Sequence, residues 1–247
     1  MAGESRPGAC LVIGAGDGLG SAIARAFADQ GLTVCVTRRA RHLDQLEALA
    51  QSIRDGGGAA HAFGVDARSE EEMVALIDRI EAEIGALEVV VFNIGANVRF
   101  GIRETTTRVF TKVWEMACFA GFLAGREAAR VMVPRGRGSI LFTGATASTR
   151  GRDGFAAFAA AKAGLRAITQ SMARELAPQG LHVAHVVVDG AIDGVFTREN
   201  RSDVEDLLAR DEILKPADIA PNFVMLHNQP RSAWTHELDL RPWKESW

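Results

Sequence analysis

The sequence contains no tyrosine, only three cysteines, and no uncharged apolar run long enough to cross a bilayer. The cysteines, Cys10, Cys35 and Cys118, lie far apart among apolar neighbours, which favours buried side chains over a disulfide or a metal site. Residues 1–8 lack the apolar core of a signal peptide. The net charge of −3 shows no basic surplus that would attract nucleic acid or an anionic membrane. We therefore expect a cytoplasmic protein that acts on a small molecule, without nucleic-acid or membrane partners.

The pattern of apolar residues predicts an α/β fold. The chain has 247 residues, 47% hydrophobic and 24% charged, which is enough for one large domain with a buried core. Strands are predicted at 9–14, 32–37, 59–65, 87–93, 138–144, 181–189 and 236–240. Helices are predicted at 21–30, 42–53, 70–84, 108–133 and 156–177. Strands that alternate with helices form parallel sheets, so we predict a Rossmann-type doubly wound sheet of about seven parallel strands, helices on both faces, in one domain over 1–247.

A glycine-rich turn follows the first predicted strand and opens the first helix. Its residues are Gly14, Ala15, Gly16, Asp17, Gly18, Leu19 and Gly20. Glycines allow the backbone to turn tightly and to approach a pyrophosphate, and a helix N-terminus offers free N–H groups and the positive end of its dipole. A structural turn without a ligand is the alternative. The strand–turn–helix context favours nucleotide binding.

Two loops after neighbouring strands indicate which nucleotide binds. The second strand ends at Arg38 and Arg39, where a protein that binds NAD usually carries an acid for the ribose 2′-hydroxyl. Guanidinium groups match a phosphate, so the site favours NADP(H) over NAD(H), although a solvated basic loop remains an alternative. After the third strand, Asp66 and Ala67 lie where the adenine amino group would be bound. Capping of its own loop is the other role open to Asp66.

The order and spacing of these motifs resemble the short-chain dehydrogenase/reductase family along nearly the whole chain. The resemblance is carried by Gly14-xxx-Gly18-x-Gly20, by Val91-Phe92-Asn93-Ile94-Gly95-Ala96, by 138–142, by Phe158-xxx-Lys162 and by Val188-Asp189-Gly190. It implies nucleotide contacts from Asn93, Ile94, Gly95, Lys162, Gly190 and Ile192. It also implies a homodimer or homotetramer formed through the two long helices. The stretch 194–215 is charged and poorly periodic, which predicts a short helical flap over 190–215 on the substrate side. The aromatic tail, with Trp234, Trp243 and Trp247, resembles a C-terminal segment that packs on a neighbouring subunit.

The catalytic positions implied by the resemblance depart from the family pattern. A serine, a tyrosine and an asparagine would be expected at Ala145, Phe158 and Ala117, and only Lys162 is retained. The longer tyrosine–lysine spacing of the enoyl-reductase branch falls on Phe155, which also lacks a hydroxyl. We expect Phe158 to lie one helical turn from Lys162 and to face a wet cleft.

Three functions stay open. The first is an NADP-dependent oxidoreductase that reduces or oxidises a small carbonyl, alcohol or activated carbon–carbon double bond with substitute residues. The candidates for those residues are Thr143, Thr146, Ser148, Asp153, Asp189, Asp193, Asn97 and Arg99. The second is a catalytically silent NADP(H)-binding sensor or partner subunit. The third, a hydrolase or lyase, lacks a histidine–nucleophile pair in suitable loops.

Overall fold

The computed structural model describes residues 8–245, and its strands form one sheet at the centre of the molecule. The strands are β1 (Ala9–Ile13), β2 (Thr33–Arg38), β3 (Ala59–Gly64), β4 (Leu87–Phe92), β5 (Gly138–Thr143), β6 (Leu181–Val188) and β7 (Glu237–Leu240). Neighbouring strands are parallel in the order β3-β2-β1-β4-β5-β6-β7. The seven predicted strands are confirmed to within one residue at each end. The strand order reverses between β1 and β4, which opens a crevice at the carboxyl ends of the strands.

The helices cover both faces of this sheet. They are α1 (Leu19–Ala28), α2 (Leu43–Asp55), α3 (Glu70–Arg79), α4 (Thr107–Trp114), α5 (Ala120–Met132), α6 (Ala156–Leu176), α7 (Val195–Asn200), α8 (Val204–Ala209) and α9 (Pro216–His227). The helix predicted over 108–133 consists of α4, a π-helical segment (Glu115–Phe119) and α5. The sequence analysis missed α9. Pro216 lies in its first turn, where a missing N–H leaves no hydrogen bond unmade, so this proline starts the helix rather than breaking it.

Two apolar layers join the helices to the sheet. One layer packs α1, α2 and α9 on the sheet through side chains such as Phe27, Leu46 and Phe223, each with at most 1% of its surface exposed. The other packs α3, α5 and α6 on the opposite face, around Met73 and Leu165. Burial of both faces explains why the strands form continuous apolar runs instead of alternating with polar residues.

The expectation for the cysteines is confirmed, since Cys10, Cys35 and Cys118 are free and buried. Between residues 8 and 245, we find no helix with the length and apolar character that a membrane span requires.

Candidate functional site

The glycine-rich turn between β1 and α1 is fixed against the end of β4. Gly14 has a φ of +92°, which glycine adopts without strain, and its carbonyl oxygen accepts a hydrogen bond from Asn93 Nδ2 at 3.2 Å. A Cβ atom at Gly20 would lie 2.7 Å from the Cα of Ala15, so α1 can approach the turn only through glycine. At Gly18 a Cβ would meet nothing within 4 Å. The turn therefore combines a rigid base with an open upper surface at a helix N-terminus, which suits a pyrophosphate.

A cavity of about 240 Å³ opens beside the turn, at the carboxyl ends of β1 to β4. The predicted residues that line it are Gly14, Gly16, Arg38, Arg39, Asp66, Ala67, Asn93, Ile94 and Gly95. The lining residues that the sequence analysis did not single out as nucleotide contacts are Ile13, Thr37, His42, Val65, Arg68, Ala96 and Met116. The predicted residues outside this lining are Asp17, Gly18, Leu19, Gly20, Lys162, Gly190 and Ile192. The first four of these continue the turn into α1, whereas the other three lie in α6 and after β6.

The cavity is basic because its carboxylate is neutralised locally. Asp66 accepts hydrogen bonds from Arg68 Nε at 3.0 Å, from Arg68 Nη2 at 2.5 Å and from the Arg68 backbone N–H at 3.1 Å. These bonds lower the pKa of the Asp66 carboxyl. Burial and the charges of nearby arginines lower the pKa of Arg39. The Cζ atom of Arg38 lies 3.6 Å from the position of a Cβ on Gly16. Asp66 therefore closes its own loop, and its contact with an adenine stays a prediction.

Lys162 on α6 is buried and bonded to the ends of two strands. Its Nζ donates to the carbonyl oxygen of Thr143 at 2.8 Å and to that of Ile94 at 3.0 Å. The side chain is only 3% exposed, and burial lowers its pKa to about 8. An ammonium group has three donors, so one remains for a further acceptor. Lys162 thus links the end of β4 to β5 near the cavity beside the glycine-rich turn.

The expectation that Phe158 faces a wet cleft was wrong. Its side chain is 8% exposed, and its ring centroid lies 6.0 Å from Lys162 Nζ. The ring belongs to an apolar cluster that consists of Val113, Ala117, Cys118, Ala147, Ala157, Phe158 and Ala161. Ala96, Val98, Ala145 and Phe155 are among the partly buried residues that pack against this cluster. Apolar residues supplied by the β4–α4 loop, the π-helical segment and α6 exclude water from the ring, which no single stretch of sequence could show.

The β4–α4 loop is strained where it leaves the cavity. Ala96 has a φ of +94°, a conformation that costs an L-residue about 1–3 kcal/mol and recurs at ligand sites. Ala96 both lines the cavity and packs against the apolar cluster. The strained residue therefore lies between the cavity and the apolar cluster.

Two of the candidate substitute residues meet in a buried ionic group. Asp189 is fully buried and accepts from Thr146 Oγ1 at 2.6 Å and from Arg150 Nη2 at 3.0 Å. Arg241 Nη2 lies 3.5 Å from its second oxygen. The group connects the β5–α6 loop, the end of β6 and the C-terminal segment.

The other candidates lie apart from this group. Ser148 Oγ accepts a hydrogen bond from the Ala145 N–H at 3.1 Å, which shapes the loop. Thr143 Oγ1 is buried and has no hydrogen-bond partner among the described residues. Asp193 pairs with Arg198 at 2.6 Å. The side chains of Asn97, Arg99 and Asp153 are exposed. Between residues 8 and 245, no group of three or more His, Cys, Asp or Glu side chains is arranged to hold a metal ion.

The segment after β6 forms one isolated β-bridge, between Ile192 and Leu214. Leu214 N–H donates to the Ala191 oxygen at 2.9 Å, and Asp193 N–H donates to the Leu214 oxygen at 2.8 Å. The N–H and C=O of Ile192 therefore point away from Leu214, because these groups alternate along an extended chain. Neither makes a hydrogen bond to another described residue. Gly190 has a φ of +149°, and a Cβ there would lie 2.9 Å from Pro242.

The aromatic tail packs partly on its own chain. The Trp234 ring is partly buried and stacks on His182 with centroids 4.9 Å apart. Trp243 is 71% exposed, and its Nε1 donates to the Arg210 oxygen at 3.2 Å. Trp247 lies outside the described residues.

Comparison with known proteins gives consistent matches over most of the chain. The family model for short chain dehydrogenases matches residues 9–205. A cis-4-hydroxycyclohexanecarboxylate dehydrogenase from Sinomonas cyclohexanicum is 29% identical over 227 residues, which are 90% of each chain. A short-chain dehydrogenase structure from Rhodopseudomonas palustris is 48% identical, with a TM-score of 0.82 over 96% of this chain and 99% of that one. An actinorhodin polyketide ketoreductase variant with NADPH is 25% identical, with a TM-score of 0.86 over 96% of each chain. The protein therefore belongs to the short-chain dehydrogenase/reductase family of oxidoreductases, and its Rossmann-type fold is the one predicted.

Proposed function

We propose that this oxidoreductase binds NADP(H) in preference to NAD(H). The observation that carries the proposal is the charge of the cavity, where Arg38 and Arg39 stand at the end of β2 and Arg68 neutralises the carboxylate of Asp66. Guanidinium groups without a competing acid favour the 2′-phosphate that distinguishes the two nucleotides. The solved ketoreductase relative with NADPH agrees with this assignment.

The residues around the cavity fit a dinucleotide along its length. The open turn at Gly18 would hold the pyrophosphate, and the third donor of Lys162 would bond a ribose hydroxyl beside Ile94. The unbonded N–H and C=O of Ile192 would bond a carboxamide, which needs one donor and one acceptor. When bound, the nicotinamide supplies or accepts the hydride. In this proposal, 190–215 forms a flap over the substrate.

Isothermal calorimetry with NADPH and NADH tests the nucleotide preference. A charge-assisted hydrogen bond contributes about 1.5–3 kcal/mol, so each good guanidinium contact favours NADPH by about 10- to 100-fold. Arg38→Ala and Arg39→Ala should weaken NADPH binding and leave NADH binding almost unchanged. Arg41→Ala is the matched control, since Arg41 lies beside the cavity and does not line it. Equal affinities of the wild type for both nucleotides would contradict the proposal.

We further propose that the reaction avoids the usual phenolic proton donor. The apolar cluster around Phe158 offers no hydroxyl or carboxylate to a substrate oxygen, and loss of a general acid costs about 10²–10⁴-fold in rate. Ordinary ketones and secondary alcohols should therefore react slowly. Activated carbon–carbon double bonds are better candidates, because no alkoxide has to be protonated beside the nicotinamide.

A silent NADP(H)-binding sensor or partner subunit is the second candidate, and the burial of Phe158 favours it. An assay of NADPH oxidation with matched saturated ketones and α,β-unsaturated ketones separates the candidates. Turnover of the unsaturated compounds alone supports the oxidoreductase with substitute residues. Tight NADPH binding without turnover across a broad panel supports the silent binder. Rapid reduction of saturated ketones would contradict the silent binder and the proposed preference for double bonds, because it would show that a substitute residue donates the proton efficiently.

We also propose a homodimer or homotetramer that assembles through the outer face of α4 and α5. Phe110, Trp114 and Phe122 are each about two-fifths exposed there, and Trp114 stacks on Phe119, which stacks on Phe122. Such a contiguous exposed aromatic surface favours a protein partner. Trp114→Glu should lower the mass measured by light scattering, whereas Leu43→Glu on α2 should not. A monomeric wild type would contradict the proposed homodimer or homotetramer. The free, buried cysteines are consistent with a cytoplasmic location.

A further inference from the structure

We infer that the substrate of this site has an apolar body and a carboxylate, and that Arg99 binds the carboxylate. This inference rests on the proposed function, since it assigns the substrate class of the same site. Arg99 lies in the β4–α4 loop at the carboxyl edge of the sheet, and its side chain is exposed. It adjoins the apolar cluster around Phe158 through Val98 and Phe155. The inference depends on the charge pattern of this edge, on the orientation of Arg99 and on the surface beside it.

The charge pattern singles out one loop. Around the substrate side, eight cationic side chains have a carboxylate oxygen within 4.0 Å: Arg150, Arg152, Arg198, Arg201, Arg210, Lys215, Arg241 and Lys244. Among the described residues, Arg99 and Arg103 in the β4–α4 loop have no such partner. Most of the edge is therefore electrically balanced, whereas the guanidinium groups of Arg99 and Arg103 form no ion pair with Glu104 of the same loop, whose carboxylate accepts a hydrogen bond from the Gly101 N–H at 3.1 Å, and they can pair with a ligand.

The orientation of Arg99 is fixed without a counter-ion. Its Cζ lies 5.9 Å from the centroid of the Phe155 ring, which is within the range of cation–π attraction. The backbone N–H of Phe100 donates to the Gly154 oxygen at 2.8 Å and ties the loop to the residues before α6. A Cβ at Gly154 would lie 2.9 Å from Arg99 Cγ, so glycine makes room for this side chain. A guanidinium group held on an aromatic ring keeps its N–H edges available for a planar, bidentate acceptor such as a carboxylate.

The surface beside Arg99 determines the rest of the substrate. Phe155 is partly buried against the Phe158 cluster, and Phe100 and Ile102 are exposed on the same loop as Arg99. These side chains offer apolar contact and no hydrogen-bonding group. The hydroxyls of a hydrophilic acid such as a sugar acid would gain no hydrogen bond from them. An aliphatic or aromatic acid matches both the charge and the apolar surface.

The test compares carboxylates with their neutral isosteres on the protein saturated with NADPH. Hexanoate and benzoate are titrated against hexanamide and benzamide by calorimetry at low salt. We expect each acid to bind the wild type at least 10-fold more tightly than its amide, as a charge-assisted hydrogen bond provides about 10- to 100-fold. Arg99→Gln should reduce this ratio to about 2 or less. Arg103→Gln is the matched control, because it removes an equally exposed, unpaired charge from the same loop, and it should preserve the preference.

Other outcomes contradict either the inference about Arg99 or the proposed function. The inference is wrong if Arg99→Gln preserves the preference, if Arg103→Gln removes it equally, or if neither acid binds the NADPH complex at millimolar concentration. Unchanged NADPH affinity of Arg99→Gln shows that the variant is folded with an intact nucleotide site. A wild type that does not bind NADPH contradicts the proposed function itself. The acids are therefore titrated in the absence of nucleotide as well, which tests Arg99 independently.

Discussion

The pair formed by Phe158 and Lys162 gives the sharpest prediction. Replacing Phe158 with tyrosine adds one oxygen to a ring that is 8% exposed within an apolar cluster. A hydroxyl buried without a partner costs about 1–3 kcal/mol. The cost of Phe158→Tyr therefore depends on whether Lys162 can reach the new oxygen.

The geometry allows that contact. The ring centroid is 6.0 Å from Lys162 Nζ. Nζ lies over the ring, so the new phenolic oxygen reaches hydrogen-bond distance of Nζ only if the ring tilts to turn its edge toward Lys162. Two of the three Nζ donors are bonded to the oxygens of Ile94 and Thr143, and one is available. A hydrogen bond to a charged group contributes about 1.5–3 kcal/mol. We therefore expect Phe158→Tyr to change the free energy of unfolding by less than about 1 kcal/mol.

A double-mutant cycle measures the contact directly. The four proteins are the wild type, Phe158→Tyr, Lys162→Met and the double variant, and urea unfolding gives the free energy of each. In the Lys162→Met background, Phe158→Tyr should cost about 1–3 kcal/mol, because its hydroxyl is then buried without a partner. Because the chain has no tyrosine, ultraviolet absorbance reports the ionisation of the introduced phenol alone. The pKa of that phenol should be lower with Lys162 than with methionine at this position.

A coupling free energy below about 0.5 kcal/mol, with identical phenol titrations in the two backgrounds, would refute this reasoning. It would show that the ring edge points away from Lys162 and that Phe158 does not occupy the position of a proton donor. If the coupling is found, Phe158→Tyr with Ala145→Ser should gain NADPH-dependent carbonyl reduction of about 100-fold, equivalent to about 2.7 kcal/mol of barrier. Lys162→Ala should abolish that gain.

Three further predictions follow from single positions. Gly20→Ala should lower the free energy of unfolding by about 2 kcal/mol or more in urea titrations and abolish NADPH binding, because its Cβ would clash with backbone atoms, whereas Gly18→Ala has open space in the protein and should leave the free energy of unfolding unchanged. Burial lowers the pKa of His185 to about 4, so protons that the unfolded chain takes up near pH 6.5 oppose folding. Stability should therefore fall by about 3 kcal/mol as the pH drops from 6.5 to 4, and His185→Gln should show a smaller fall over the same range. Asp189→Asn should destabilise the protein by about 2–4 kcal/mol, because partly buried guanidinium groups lose their counter-charge, and calorimetric melting that matches the wild type would contradict this.

The sequence by itself determined the architecture and the position of the glycine-rich turn. Strand runs such as 89–92 are apolar at successive positions, and Gly20 is required by backbone contacts within the β1–α1 unit. Such signals are local, because periodicity and turn chemistry depend on residues close in the chain. Helix α9 was missed because the sequence analysis treated every proline as a helix breaker, whereas a proline in the first turn does not break a helix.

Only the tertiary structure determines which residues surround Phe158, Asp66 and Asp189. Phe158 was expected to face a wet cleft, yet apolar residues from several separate elements enclose it. The hydrogen bonds between Arg68 and the carboxylate of Asp66 were also not predicted from the sequence. Likewise, no pattern in the sequence pairs Thr146 with Asp189 across 43 positions. Burial and charge neutralisation depend on which side chains meet in space, and the chain brings these together only when the sheet has assembled.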